Sequence, residues 1–252
     1  MATPQRVGLI VPSSNVTIET ELPRMLAAAI ADERLTFHAS RAVLHTVDEE
    51  SLDRMVEASD RSAAELADAR INALVYACLV AVMARGHGAH EEIEARLAEV
   101  AAEHGCAVPV VSSAGALVRT LARLEAGRVA IMTPYAPALT ELVASYLASY
   151  GSEVVDAVSL NVTDNVEVGR LDPAGLLSHA MGLDLRGVDV LIASACVQMP
   201  SLAVIGELES RLGLPVISAA TATTAELLGA LGWPLDVEGA GAMLAGTPAL
   251  TL

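Results

Sequence analysis

Eight short apolar runs recur along the chain, each followed by a longer segment rich in alanine and leucine with acidic and arginine-bearing faces. The runs are RVGLIVP (6–12), LTFHASRAV (35–43), INALVYA (71–77), VPVVSS (108–113), RVAIMTP (128–134), SEVVDAVSL (152–160), VDVLIASA (188–195) and LPVISAA (214–220). Most lack the apolar–polar alternation of a half-exposed sheet, so both faces of such strands must be covered. Continuous apolar strands alternating with helices build parallel sheets with helices on either side. The chain is thereby confined to an α/β fold before any single residue is weighed.

The series also repeats. RVGLIVP at 6 matches RVAIMTP at 128, and VPVVSSAGA at 108 matches LPVISAATA at 214. Between them ALVYACLVAVM (73–83) matches VLIASACVQMP (190–200), which sets Cys78 against Cys196. We expect two pseudo-symmetric lobes, residues 1–116 and 117–221, each a parallel sheet flanked by helices, with the active site in the cleft between them. The C-terminal segment, about 222–252, is free to pack back on the first lobe. A chain of 252 residues is long enough to bury a sizeable core in such an arrangement.

A core cysteine has no reason to recur at the equivalent place in both lobes, whereas a cleft cysteine on a pseudo-twofold axis has one. Ligands of parallel sheets bind beyond the carboxyl ends of the strands, where helix N-termini direct backbone amides into the crevice. Cys78 and Cys196 are both expected there. A thiol beside a helix N-terminus is expected to have a lowered pKa and to be partly thiolate at neutral pH. The same amides can hold a carboxylate.

Composition narrows the chemistry. The net charge of −16 argues against a nucleic-acid partner. All basic residues are arginine, so a Schiff-base lysine, a lysine general base and a P-loop lysine are excluded. Aromatic residues are 2% of the chain, too few for stacking platforms. Three cysteines without C-x-x-C spacing argue against a disulfide framework and a zinc site. No apolar run is long enough to span a bilayer, and MATPQRVGLIVPSSN lacks a signal-peptide cleavage pattern. We therefore expect a soluble cytoplasmic protein with no membrane partner.

The paired Ala-Cys motifs, VPSSNVTIETELP (11–23), MTPY (132–135), DNVEVG (164–169) and CVQMPSL (196–202) resemble the maleate cis–trans isomerase family of the aspartate/glutamate racemase superfamily. The likeness runs over nearly the whole chain, with its motifs in order. Racemases of that superfamily usually follow their cysteines with Asn-Thr or Thr-His; this chain has Leu79 and Val80, then Val197 and Gln198. Arylmalonate decarboxylases keep only the second-lobe cysteine. The resemblance implies cofactor-independent conversion of maleate to fumarate, a small dicarboxylate as partner, and a homodimer. It assigns Cys78 as the nucleophile that forms a succinyl thioether and Cys196 as proton donor and acceptor. It also implies that Asn15, Tyr135 and Asn165 donate hydrogen bonds to the carboxylates, completed by backbone amides of Leu79, Val80, Val197 and Gln198. No metal ligands are implied.

Blander roles compete for several of these residues. Asn15 is placed to cap a helix, Asn165 to form a loop turn, and Pro12 and Pro134 to end matched strands. Cys106 has no repeat partner and reads as structural. GHGAH, with His87 and His90, reads as a solvent-exposed turn rather than a metal site. His45 and Thr46 in LHTVDEE read as a lid-like loop at the cleft rim. Two other functions stay open on the residues: a two-cysteine racemase or epimerase of a small carboxylate or amino acid, and a two-lobed binding module without catalysis.

Overall fold

In the computed structural model of the chain, which describes residues 4–29, 35–46 and 48–245, all eight apolar runs are strands, with ends within two residues of those expected. β1 (Gln5–Pro12), β2 (Leu35–Ala42), β3 (Ala73–Tyr76) and β4 (Val110–Ser112) form one sheet. β5 (Arg128–Thr133), β6 (Glu153–Ser159), β7 (Val190–Ser194) and β8 (Val216–Ser218) form the other. The strand orders, β2-β1-β3-β4 and β6-β5-β7-β8, are the same permutation, and every pairing is parallel. β3 and β7 are buried along their whole length, as their unbroken apolar sequences require.

In this order the chain leaves β1 toward one edge of its sheet and leaves β3 toward the other. The carboxyl ends of β1 and β3, and of β5 and β7, therefore flank a crevice no crossover covers, the place where parallel sheets take ligands. The repeat extends to helix starts. Ser112 accepts a hydrogen bond from the Gly115 amide at 3.0 Å, and its counterpart Ser218 accepts from Thr221 at 3.2 Å in a full capping box. Both polar side chains satisfy an amide that the first helical turn leaves without a partner.

These two caps begin equivalent helices, Ser113–Arg123 and Ala219–Ala230, which pack on one another. Thr223 Oγ1 donates to Ser113 Oγ at 3.1 Å between them. Arg119 reaches Glu226 at 2.7 Å and Glu94 at 3.0 Å, and Arg123 also pairs with Glu226. The helix Ala219–Ala230 additionally packs on Ile18–Ala29 of the first half, where Thr224 Oγ1 lies 3.6 Å from Met25 Sδ. Of the C-terminal segment, residues 246–252 lie outside the described residues.

The GHGAH turn is exposed at Gly86 and His87, as read from the sequence, and the reading is corrected at His90. His90 is buried, its Nδ1 2.8 Å from the Tyr146 hydroxyl, and His87 stacks on Tyr150 with ring centroids 4.5 Å apart. The rings come from helices Ala89–Glu103 and Pro137–Ser149 and their flanks, so the cluster joins the two halves of the chain. Packing the buried His90 and Tyr146 rings against Tyr150 and the exposed His87 removes apolar area from water, a gain no local pattern around GHGAH records. Cys106 behaves as expected, buried with its thiol 3.4 Å from the Ile71 carbonyl.

Arg119 is the shared cation of two carboxylates that are only 16% and 13% exposed. Replacing it with methionine roughly keeps the volume, leaves Glu94 without its cation and leaves Glu226 to Arg123 alone. We expect Arg119→Met to cost about 1–3 kcal/mol, below the value for fully buried pairs because the cluster is partly hydrated. A denaturant midpoint unchanged at constant slope would contradict that account.

Candidate active site

Beyond β1 the chain turns at Pro12 and presents Asn15, which is fully buried. Its Oδ1 accepts from the amides of Thr17 at 3.0 Å and Ile18 at 3.2 Å and so caps the helix Ile18–Ala29. The capping role is therefore real, and it has a consequence. With Oδ1 fixed on the helix, Nδ2 is held away from it, and that nitrogen is buried with no hydrogen-bond partner. A buried donor left unpaired costs roughly 1–3 kcal/mol, which marks it as a group kept for a ligand.

The Asn15 side chain lines a cleft together with Cys78, Leu79, Val80, Tyr135, Asn165, Cys196, Val197 and Gln198. All nine residues singled out in the sequence are thus brought to one place, from the ends of β1, β3, β5 and β7 and the loop after β6. Pro12, Leu44 and Ala77 complete the wall. The free space is about 20 Å³, on the order of one water molecule. The lobes are drawn closed.

Cys78 ends the loop after β3 and stands at the N-cap of the short helix Leu79–Met83, whose first amides have no partner within the helix. Cys196 follows β7. Both thiols are buried, 5% and 6% exposed. The expected acidic thiol is corrected by this burial. Desolvation pushes the Cys78 thiol up to about 12, outweighing the Ala81 amide that favours the thiolate, and the nearby Cys196 raises it further. Cys196 is also raised by burial, but three donors oppose the shift: the Tyr135 hydroxyl and the amides of Gln198 and Met199. The Gln198 amide lies 3.4 Å from Cys196 Sγ, so it serves the thiol rather than an open anion nest. A helix end lowers a thiol pKa when water still reaches the sulfur; in a closed apolar cleft desolvation is the larger effect.

The side chain of Gln198 does something its sequence position does not signal. Its Oε1 accepts from the amides of Val16 at 2.9 Å and Thr17 at 3.2 Å, and its Nε2 donates to the carbonyls of Ser14 at 3.0 Å and Asn165 at 2.8 Å. One amide group therefore grips the backbone on both sides of Asn15 and fastens it to the Asn165 loop. Gly169 leaves room for it, since a Cβ there would stand 2.6 Å from Nε2. Asn165 Nδ2 donates to Ser14 Oγ at 2.7 Å, and Ser14 Oγ in turn to the Leu44 carbonyl at 2.5 Å. Thr46 bridges Asp164 as an isolated antiparallel pair, which ties the segment read as a lid to the second lobe. Val47 lies outside the described residues. Ser14, Leu44 and the Gln198 side chain escaped the sequence reading because their partners are distant in the chain.

The family model for arylmalonate decarboxylase matches residues 7–244. A maleate isomerase from Geobacillus stearothermophilus is 48% identical over 98% of this chain and 99% of its own. A crystal structure of a maleate isomerase variant from Pseudomonas putida S16 with maleate superposes with a TM-score of 0.95 at 46% identity, covering 97% of this chain and 99% of that one. A cysteine-to-serine variant of the Nocardia farcinica maleate cis-trans isomerase, with a covalently bound succinylcysteine intermediate, has a TM-score of 0.93 at 44% identity over 96% and 99% of the two chains. With a matching strand permutation, a cysteine at the end of the third strand in each lobe, and likeness to these proteins over nearly its entire length, the chain belongs to the maleate isomerase family, within the wider group that the arylmalonate decarboxylase model describes.

Proposed function

We propose that this protein converts maleate to fumarate without a cofactor, through a thioether between Cys78 and the substrate. The observation that carries the reading is the meeting of Cys78 and Cys196, one from each lobe, in a buried cleft that also holds the unpartnered Asn15 amide. Rotation about a carbon–carbon double bond requires breaking the π bond, and a soft thiolate does so by addition. Cys78 Sγ bonds to C2 while the π electrons move to C3, next to the second carboxylate. The Cys196 thiol gives its proton to C3, leaving a single bond free to turn. After rotation the Cys196 thiolate takes a proton from C3, the C2–C3 π bond re-forms, the C–S bond breaks, and Cys78 leaves as thiolate. Every electron pair and proton returns to its origin, so no metal, flavin or nicotinamide is required.

The thiol environments suit these roles. When the pair carries a single negative charge, Cys196, with three donors around it, is the sulfur better able to hold it, so the Cys78 proton passes to the Cys196 thiolate as Cys78 attacks and Cys196 becomes the thiol that protonates C3. That transfer arms the acid and the nucleophile together. Asn15 Nδ2 supplies a donor for the carboxylates, as do Asn165 and the backbone amides of Leu79, Val80 and Val197, and the Tyr135 hydroxyl joins them by turning from the Ala195 carbonyl, to which it donates at 3.3 Å. The cleft widens to admit a four-carbon diacid and closes to exclude water from the carbanion. The same reading takes the protein as a cytoplasmic homodimer and divides its lobes at about 116/117 and 221/222. Among the described residues no helix is long and apolar enough to cross a membrane.

Proton NMR of maleate in D2O with reduced protein and no additive is expected to show the fumarate singlet, and Cys78→Ser to abolish it; unchanged maleate with folded, reduced enzyme would overturn the reading. The raised Cys78 pKa sets the pH dependence. The thiolate fraction grows as pH rises, so kcat/KM should still be climbing at about pH 9, above the ordinary thiol value of about 8.5. A plateau reached well below that value would instead indicate an acidic resting thiol. Asn15→Asp separates the two uses of Asn15. Aspartate keeps the helix cap but removes the donor and repels a carboxylate, so KM is expected to rise at least about tenfold, with a fall in Tm from the buried, half-paired carboxylate.

A further inference from the structure

Among the described residues, Glu21 is the buried carboxyl that the mechanism leaves without a task. Glu21 lies in the first turn of the helix Ile18–Ala29, in the first lobe, and is 9% exposed. Its Oε1 accepts from the amides of Ser201 and Leu202 in the second lobe, each at 3.0 Å. Those amides open the turn Leu202–Val204 that runs into the helix Ile205–Leu212, where backbone donors lack partners of their own. Its Oε2, like Ser201 Oγ, is buried with no partner. Burial raises the carboxyl pKa, and the two amides pull against that rise. A carboxyl kept under such a desolvation cost has been placed for the contact it makes.

Ser201 is the far end of the loop that carries Cys196. At the near end, Ser194 Oγ lies 2.6 Å from the Cys196 carbonyl and 3.3 Å from that of Met199, and both bonds stay within the second lobe. In the middle Gln198 reaches the first lobe, and at the end Glu21 reaches back from it. We propose that Glu21 is a positioning residue that sets the height of the Cys196 loop against the first lobe, so that Cys196 Sγ stays in register with the carbon activated by Cys78. The assignment of the reacting carbon rests on the function proposed above. Proton transfer tolerates little displacement, and a shift of about 1 Å can cost on the order of a hundredfold in rate.

The test compares two neutral near-isosteres. Glu21→Gln keeps an acceptor for both amides; Glu21→Met fills the space with none. Glu21→Met is expected to lower kcat at least about tenfold with KM for maleate nearly unchanged, and to accumulate a Cys78–maleate adduct during turnover, visible by mass spectrometry of the intact protein. Glu21→Gln should restore kcat to within about twofold and show no adduct. Glu21→Asp, which withdraws the acceptor by one methylene, provides a folded variant should the methionine variant aggregate, and is expected to lose kcat and accumulate adduct in the same sense. A second readout needs no maleate: iodoacetamide labelling at Cys196 relative to Cys78, located by peptide mapping, should shift in the Met and Asp variants but not in Gln. If the wild-type protein leaves maleate unchanged, the function reading fails while the labelling shift still supports the positioning role. Wild-type kcat and an unchanged labelling ratio in Glu21→Met, or a Gln variant as impaired as the Met one, would overturn it.

Discussion

Backbone amides at the carboxyl ends of parallel strands have no ladder partner, and in this protein the two lobes satisfy them across the cleft. Gln198 takes the amides of Val16 and Thr17, and Glu21 takes those of Ser201 and Leu202. The traffic runs in both directions, a second-lobe side chain serving first-lobe backbone and the reverse. Orientation of the lobes and geometry of the site are therefore not separable. The groups that fix one sheet against the other are the same groups that hold Asn15 and Cys196 in place. Behind the cleft the equivalent helices Ser113–Arg123 and Ala219–Ala230 form a second contact, with Arg119 between two carboxylates.

Desolvation governs the chemistry that this closure permits. A closed cleft excludes water from a carbanion, yet it also disfavours the thiolate that must create it. The balance is uneven between the sulfurs: Cys78 has one opposing amide, while Cys196 has a phenol and two amides. That asymmetry is absent from the repeat that set the two cysteines in register. It arises because Tyr135 follows β5, in the second lobe, whereas the equivalent position after β1 carries Ser13. Pseudo-symmetry brought the thiols together, and its local breaking gives them different surroundings.

Much of this was legible in the chain. The eight strands follow from unbroken apolar runs, and the shared strand permutation follows from the repeat, because equivalent sequences bury equivalent faces. Cys78 and Cys196 were nameable from the repeat, at strand ends where side chains are freed from the sheet; the other seven residues were named from the family resemblance, and the structure brings all nine to one cleft. What stayed hidden has a common cause. The Gln198 grip, the Ser14–Asn165 contact and the Glu21 clamp all pair a side chain with groups more than 150 positions away, and neither periodicity nor spacing carries information over such separations. His90 failed as a solvent-exposed residue for the same reason: its partner Tyr146 comes from the other half of the chain.

The sequence by itself determined an α/β chain built twice over, with a cysteine at the end of each third strand, because hydrophobic period and duplication are properties of the chain alone. Only the tertiary structure decided that the cleft is closed, that burial raises the pKa of both thiols, and that Asn15 caps a helix with one end while leaving the other unpaired. Those outcomes depend on how much water remains around each group once two lobes meet. Solvent exclusion is a property of the assembled surface, and no single stretch of residues encodes it.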